Sequence, residues 1–83
     1  AWLTQVHGAV VVDADAAHDA TPTADASTAR AAGVVCAVLV ADCLPVLLAD
    51  AQGRGVAAAH AGWRGLAAGV LQATVTRLRQ RLD

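Results

Sequence analysis

Cys43, in Asp42-Cys43-Leu44-Pro45, and His60, at the head of His60-Ala61-Gly62-Trp63-Arg64-Gly65, are a thiol and an imidazole that could work together. His7, in Gln5-Val6-His7-Gly8, is a third candidate, set between apolar residues and a glycine where the backbone can turn sharply. One sulfur and two ring nitrogens suit Zn(II) and leave a fourth position for water or substrate. Such an open site could generate hydroxide near neutral pH or polarise an oxygen. A Cys–His pair is also the core of a metal-free thiol nucleophile, and the residue types leave both readings open. Asp42, adjacent to Cys43, is a candidate proton acceptor or an orienting partner for a ligand histidine. Gly62, Trp63 and Arg64 are the candidate substrate-binding residues. They open a helix whose first amides favour anions, Arg64 adds a charged fork for phosphate or carboxylate, and Trp63 offers a flat face to a ring.

These residues need elements to hold them. Val46 to Ala49 and Val56 to Ala59 are two apolar runs joined by the turn Asp50-Ala51-Gln52-Gly53, so they should pair antiparallel. With the turn centred near Gln52, His60 falls opposite positions 43 to 45, at the open end of the hairpin. Val34 to Val40 is a continuous run rich in β-branched residues, the pattern of a strand buried on both faces. Leu3 to Val12 reads as a further strand, interrupted at His7-Gly8, and the Ala/Asp/Thr-rich stretch 13–28 as a surface connection. From Leu66 the period changes. Leu66, Val70, Leu71, Val75, Leu78 and Leu82 recur three and four apart, which predicts an amphipathic helix. The architecture expected is mixed α/β.

Several other candidates have plainer explanations. Cys36 sits mid-run among valines and alanines and reads as a small core residue. His18 lies in the acidic stretch and reads as solvated. Arg77, Arg79 and Arg81 read as a solvated helix face, placed where positive charge suits the C-terminal dipole. Asp42 could simply end a strand, and Trp63 could be plain core.

Composition limits the remaining classes. Of 83 residues, 57% are hydrophobic and the net charge is −1, which excludes disorder. With no Lys and no positive excess, the chain is not built to neutralise nucleic-acid phosphates. The longest apolar run is far short of the ~20 residues that span a membrane. No basic segment followed by an apolar run marks an export signal, so a cytoplasmic location is expected. Alanine supplies 22 of the hydrophobic residues and buries little area each, which makes an isolated core marginal. Residues 1–83 are therefore expected to be a single partial domain.

Three motifs occur here in order: Gln5-Val6-His7-Gly8, then Ala41-Asp42-Cys43-Leu44-Pro45-Val46-Leu47-Leu48-Ala49-Asp50, then His60-Ala61-Gly62-Trp63-Arg64-Gly65. Together they resemble the signature of the multicopper polyphenol oxidase, or laccase-domain, family. That family is also described as purine nucleoside phosphorylases and as the peptidoglycan editing factor. Ala24-Asp25-Ala26 resembles its internal Ala-Asp-Ala element. The resemblance implies a layered sandwich of mixed β-sheet with flanking helices, of which this chain is the central part, its flanking segments missing. It implies His7, Cys43 and His60 as ligands of Zn2+, with Cu2+ as the older description. It implies phosphorolysis of adenosine, inosine or methylthioadenosine and deamination of adenosine, with nucleoside and phosphate as small-molecule partners. Some members resemble amidases that edit a nucleotide-linked cell-wall precursor, and a non-catalytic zinc-binding fragment is the remaining alternative. Three His and two Cys, two of them poorly placed, supply one mononuclear site and not the several that multicopper oxidation needs.

Overall fold

The structure, a computed structural model, describes residues 2–16, 20–40 and 44–82. Strands β1 (Val11–Asp13), β2 (Ala26–Ala29), β3 (Leu44–Ala49) and β4 (Val56–Ala61) precede helices α1 (Trp63–Ala68) and α2 (Val70–Leu82). The sheet order is β1-β2-β4-β3: β1 runs parallel to β2, and the β2–β4 and β4–β3 pairs are antiparallel. Mixed α/β architecture is thus established. The hairpin forms as expected, with Pro45 opposite His60 and Ala49 opposite Val56.

Alanine explains the packing. Ala26, Ala59 and Ala61 meet Val70 of α2 in the core, with Val11, Val46 and Leu71 packed around them. Such short side chains let a helix lie close on the sheet. Gly55 marks the limit: a Cβ there would sit 3.1 Å from the Ala29 carbonyl and 3.2–3.3 Å from Leu82 and Leu78.

Several expectations are corrected. The stretch 13–28 is no surface connection along its whole length, because its end is β2, fully buried between β1 and β4. Its Ala-Ser-Thr-Ala composition looks like a loop in hydropathy but fits a crowded central position in size. Val34 to Val40 belongs to no strand; the backbone of Leu39 instead exchanges two hydrogen bonds with the side chain of Gln5, at 2.7 and 2.8 Å. That amide side chain supplies the donor and acceptor a neighbouring strand would offer. Cys36 is half-buried and lines an apolar cleft of about 430 Å³ together with Val34, Leu47 and Ala58. The single helix expected from Leu66 is two, broken at Gly69, whose φ of 88° is left-handed.

The arginines of α2 are not all a solvated face. Arg77 bridges to Asp13, and Arg81 reaches Asp15 at 2.8 Å and the Thr28 hydroxyl at 3.0 Å. Both tie α2 to the β1 side of the sheet. Among the described residues, no helix is long and apolar enough to cross a membrane.

Candidate functional site

The site grows from an irregularity in the parallel pairing. Thr4 bridges Thr23, and the next register fixed on that side is Val11 with Ala26. The N-terminal segment therefore advances seven positions while its partner advances three. Its surplus residues loop over Asp25. That loop carries His7, in a left-handed conformation with φ of 60°. Histidine visits this region more readily than most residues, yet the conformation still costs about 1–2 kcal/mol.

Asp25 holds the loop closed. Its carboxylate accepts hydrogen bonds from the amides of His7 at 2.9 Å, Gly8 at 2.8 Å, and Val6 at 3.1 and 3.2 Å. Successive amides pointing into one concavity form an anion-binding nest, and the anion bound is the protein's own side chain. Asp25 is fully buried. Burial pushes its carboxyl up, but the Gly8 amide, the His60 ring and the Val6 and His7 amides together hold it below the usual carboxylate range. A buried carboxylate receiving this many donors stays ionised.

His60 completes the group from the neighbouring strand. Its amide donates to the Asp25 carbonyl at 2.7 Å, and its Nδ1 lies 3.1 Å from Asp25 Oδ1. An ionised carboxylate can only accept, so Nδ1 carries a proton, and in the neutral ring Nε2 is the nitrogen with the free lone pair. The His60 ring is almost wholly buried, and the exposed His7 ring lies across from it with centroids 4.9 Å apart at 58°. Thus the structure brings His7 and His60 together.

The other expected site residues stand differently. Cys43 and Asp42 lie outside the described residues, as does His18. Gly62 is buried, and its carbonyl accepts the Leu66 amide at 2.9 Å. Trp63 is 77% exposed, which rules out the plain core reading, and the Arg64 guanidinium lies 5.6 Å from its ring centre. Asp25 is the residue that reasoning from spacing missed as a functional group. Its signal was present only as the middle of Ala24-Asp25-Ala26, because nothing local in a small-residue stretch shows that its carboxylate is buried.

One feature of the pair is shared with metal sites. Imidazoles that bind metals commonly donate their other ring nitrogen to a carboxylate, and the Asp25–His60 bond has that form. Among the described residues no three His, Cys, Asp or Glu side chains form a group that could hold an ion; the expected sulfur donor is outside them.

A mixed α/β fold with a carboxylate-tethered His60, the His7 ring across from it and an exposed Trp63–Arg64 contact at the start of α1 defines the class. The chain belongs to the family described as multi-copper polyphenol oxidoreductase laccase, whose model matches residues 1–83. It is 58% identical over 77 residues to purine nucleoside phosphorylase PA4543 of Pseudomonas aeruginosa, covering 93% of this chain and 31% of that protein. It is 56% identical over 75 residues to purine nucleoside phosphorylase YfiH of Escherichia coli (strain K12), covering 90% of this chain and 31% of that one. The crystal structure of Neisseria meningitidis protein NMB0706 superposes with a TM-score of 0.86 at 57% identity, covering 94% of this chain and 32% of that one. The chain spans about a third of the length of the relatives it matches.

Proposed function

We propose that this chain carries the metal-binding part of an enzyme that cleaves purine nucleosides with phosphate. The observation that carries the reading is the paired imidazoles of His7 and His60, one of them tethered to a buried carboxylate. The relatives named purine nucleoside phosphorylase support the substrate class.

In this reading His7, His60 and Cys43 hold a zinc ion. Bound there, zinc supplies Lewis acidity toward an oxygen of substrate or water. Arg64 holds phosphate by its positive charge, and Trp63 stacks on the purine ring, with Gly62 shaping the approach. Phosphate oxygen attacks the anomeric carbon as the bond from that carbon to the base breaks, and Asp42 helps move the proton that the leaving base requires. Adenosine, inosine and methylthioadenosine are the expected substrates, with deamination of adenosine a second activity of the same site. The test is phosphate-dependent appearance of free purine from each nucleoside, with ammonia followed in parallel. Activity lost in Cys43→Ala and His60→Ala supports the reading; wild-type turnover in both variants removes it.

One observation favours a second reading. A carboxylate that orients an imidazole by its Nδ1 is also the base half of a thiol-nucleophile triad. A metal-free hydrolase, including one that cleaves an amide in a cell-wall precursor, would use Cys43, His60 and Asp25 in that way. Chelation separates the two. Full activity in the metal-stripped protein, abolished by thiol alkylation, would select the hydrolase.

A further inference from the structure

We infer that Asp25 is the positioning residue of the metal centre, one carboxylate that presets both imidazoles before any ion arrives. This rests on the reading of His7 and His60 as ligands. Its two oxygens divide the work. Oδ1 accepts from the His60 ring at 3.1 Å and the His7 amide at 2.9 Å, and Oδ2 accepts from the Gly8 amide at 2.8 Å. The Val6 amide is shared between them.

The first consequence concerns the tautomer. With Nδ1–H committed to Asp25, the neutral His60 ring has its lone pair at Nε2 before metal binds. The second concerns His7. Its left-handed backbone is strained, whereas hydrogen bonds to a charged group are among the stronger ones. Several amide bonds to one carboxylate outweigh that cost and fix where the imidazole stands. Removing the charge therefore disturbs both ligands at once.

Asparagine makes a discriminating probe because it matches Asp25 in size but replaces one oxygen with an NH2 donor. An NH2 at the Oδ1 position faces the His7 amide and turns His60 to accept at Nδ1, moving its proton to Nε2. An NH2 at the Oδ2 position instead faces the Gly8 amide, donor against donor, and opens the loop. Neither orientation satisfies all the partners.

The experiment uses the full polypeptide, metal-stripped, with ring nitrogens read by 15N NMR and zinc affinity by chelator competition. Wild type is expected to show His60 protonated at Nδ1. Asp25→Asn is expected to bind zinc about 10–100-fold more weakly, with His60 Nε2-protonated or the His7 resonances shifted. A wild-type His60 protonated at Nε2 overturns the proposal without recourse to any variant, as does Asp25→Asn binding within twofold of wild type. Wild type that binds no zinc while keeping Nδ1–H would sink the ligand reading yet uphold the positioning by Asp25.

Discussion

Asp25 and His60 are joined twice, main chain to main chain at 2.7 Å and carboxylate to ring at 3.1 Å. The first bond locks the alignment of the two backbones, and the second uses it to aim an imidazole. Because the same carboxylate also closes the loop bearing His7, ring orientation and loop conformation are set by one side chain, and strand alignment by the same residue's carbonyl.

The loop conformation predicts a stability–function conflict at position 7. His7 has φ of 60°, a region glycine enters without penalty. His7→Gly should leave stability unchanged or raise it by up to about 1 kcal/mol, while zinc binding falls sharply. Urea unfolding and metal titration measure the two effects. A loss of more than about 1 kcal/mol would show that the His7 ring, rather than the amide bonds to Asp25, holds the loop.

Acid sensitivity follows from the aspartates. Asp13 is held below the usual range chiefly by its hydrogen bond with Arg77, Asp15 by Arg81, and Asp50 by Arg54. A carboxyl whose folded value lies below its unfolded one stabilises the fold fully above the unfolded value. That contribution is lost as pH falls through the folded value. Stability should therefore hold from pH 7 to about 5 and decline below about pH 4, near the unfolded aspartate value. The urea midpoint measured against pH tests this. A decline centred near pH 6 would assign the control to histidine.

Two glycines separate sterics from backbone conformation. Gly55→Ala places a methyl group 3.1 Å from the Ala29 carbonyl, a backbone atom that cannot easily yield. It should cost about 1–3 kcal/mol. Gly33 has open space around it but φ of 83°, so Gly33→Ala should cost about 1 kcal/mol from backbone alone. Thermal unfolding of both variants would contradict this if Gly33→Ala proved the worse.

Much of this was legible in the sequence, for reasons that differ by element. The β3–β4 hairpin follows from two apolar runs and a short turn, so spacing places His60 opposite positions 43 to 45, and the structure pairs it with Pro45. The pairing of His7 with His60 was legible in the motifs but not in the spacing, because a loop over Asp25 depends on a parallel register that no local pattern shows. β2 was hidden because Ala, Ser and Thr carry no hydrophobic period, although all four of its residues are buried. Val34 to Val40 has the opposite character. Its β-branched run has strand propensity, but among the described residues it pairs with no strand, and Gln5 takes the Leu39 backbone instead.

Charge on α2 is similarly position-dependent. Arg81 joins Asp15 and Thr28, while Arg79 is exposed. Arg81→Ala should cost about 1–2 kcal/mol, since it leaves the Asp15 carboxylate and the buried Thr28 hydroxyl without that partner. Arg79→Ala should fall within about 0.5 kcal/mol of wild type. Equal effects in chemical denaturation would contradict the assignment of Arg81 as a tie between helix and sheet.

The most direct test of the proposed metal centre is X-ray absorption at the zinc edge on the zinc-loaded full polypeptide. One sulfur at about 2.3 Å and two imidazole nitrogens at about 2.0–2.1 Å are expected, with the sulfur lost in Cys43→Ala and imidazole scattering reduced in His7→Gly. A first shell without sulfur, or one unchanged in both variants, would contradict a site built from His7, Cys43 and His60.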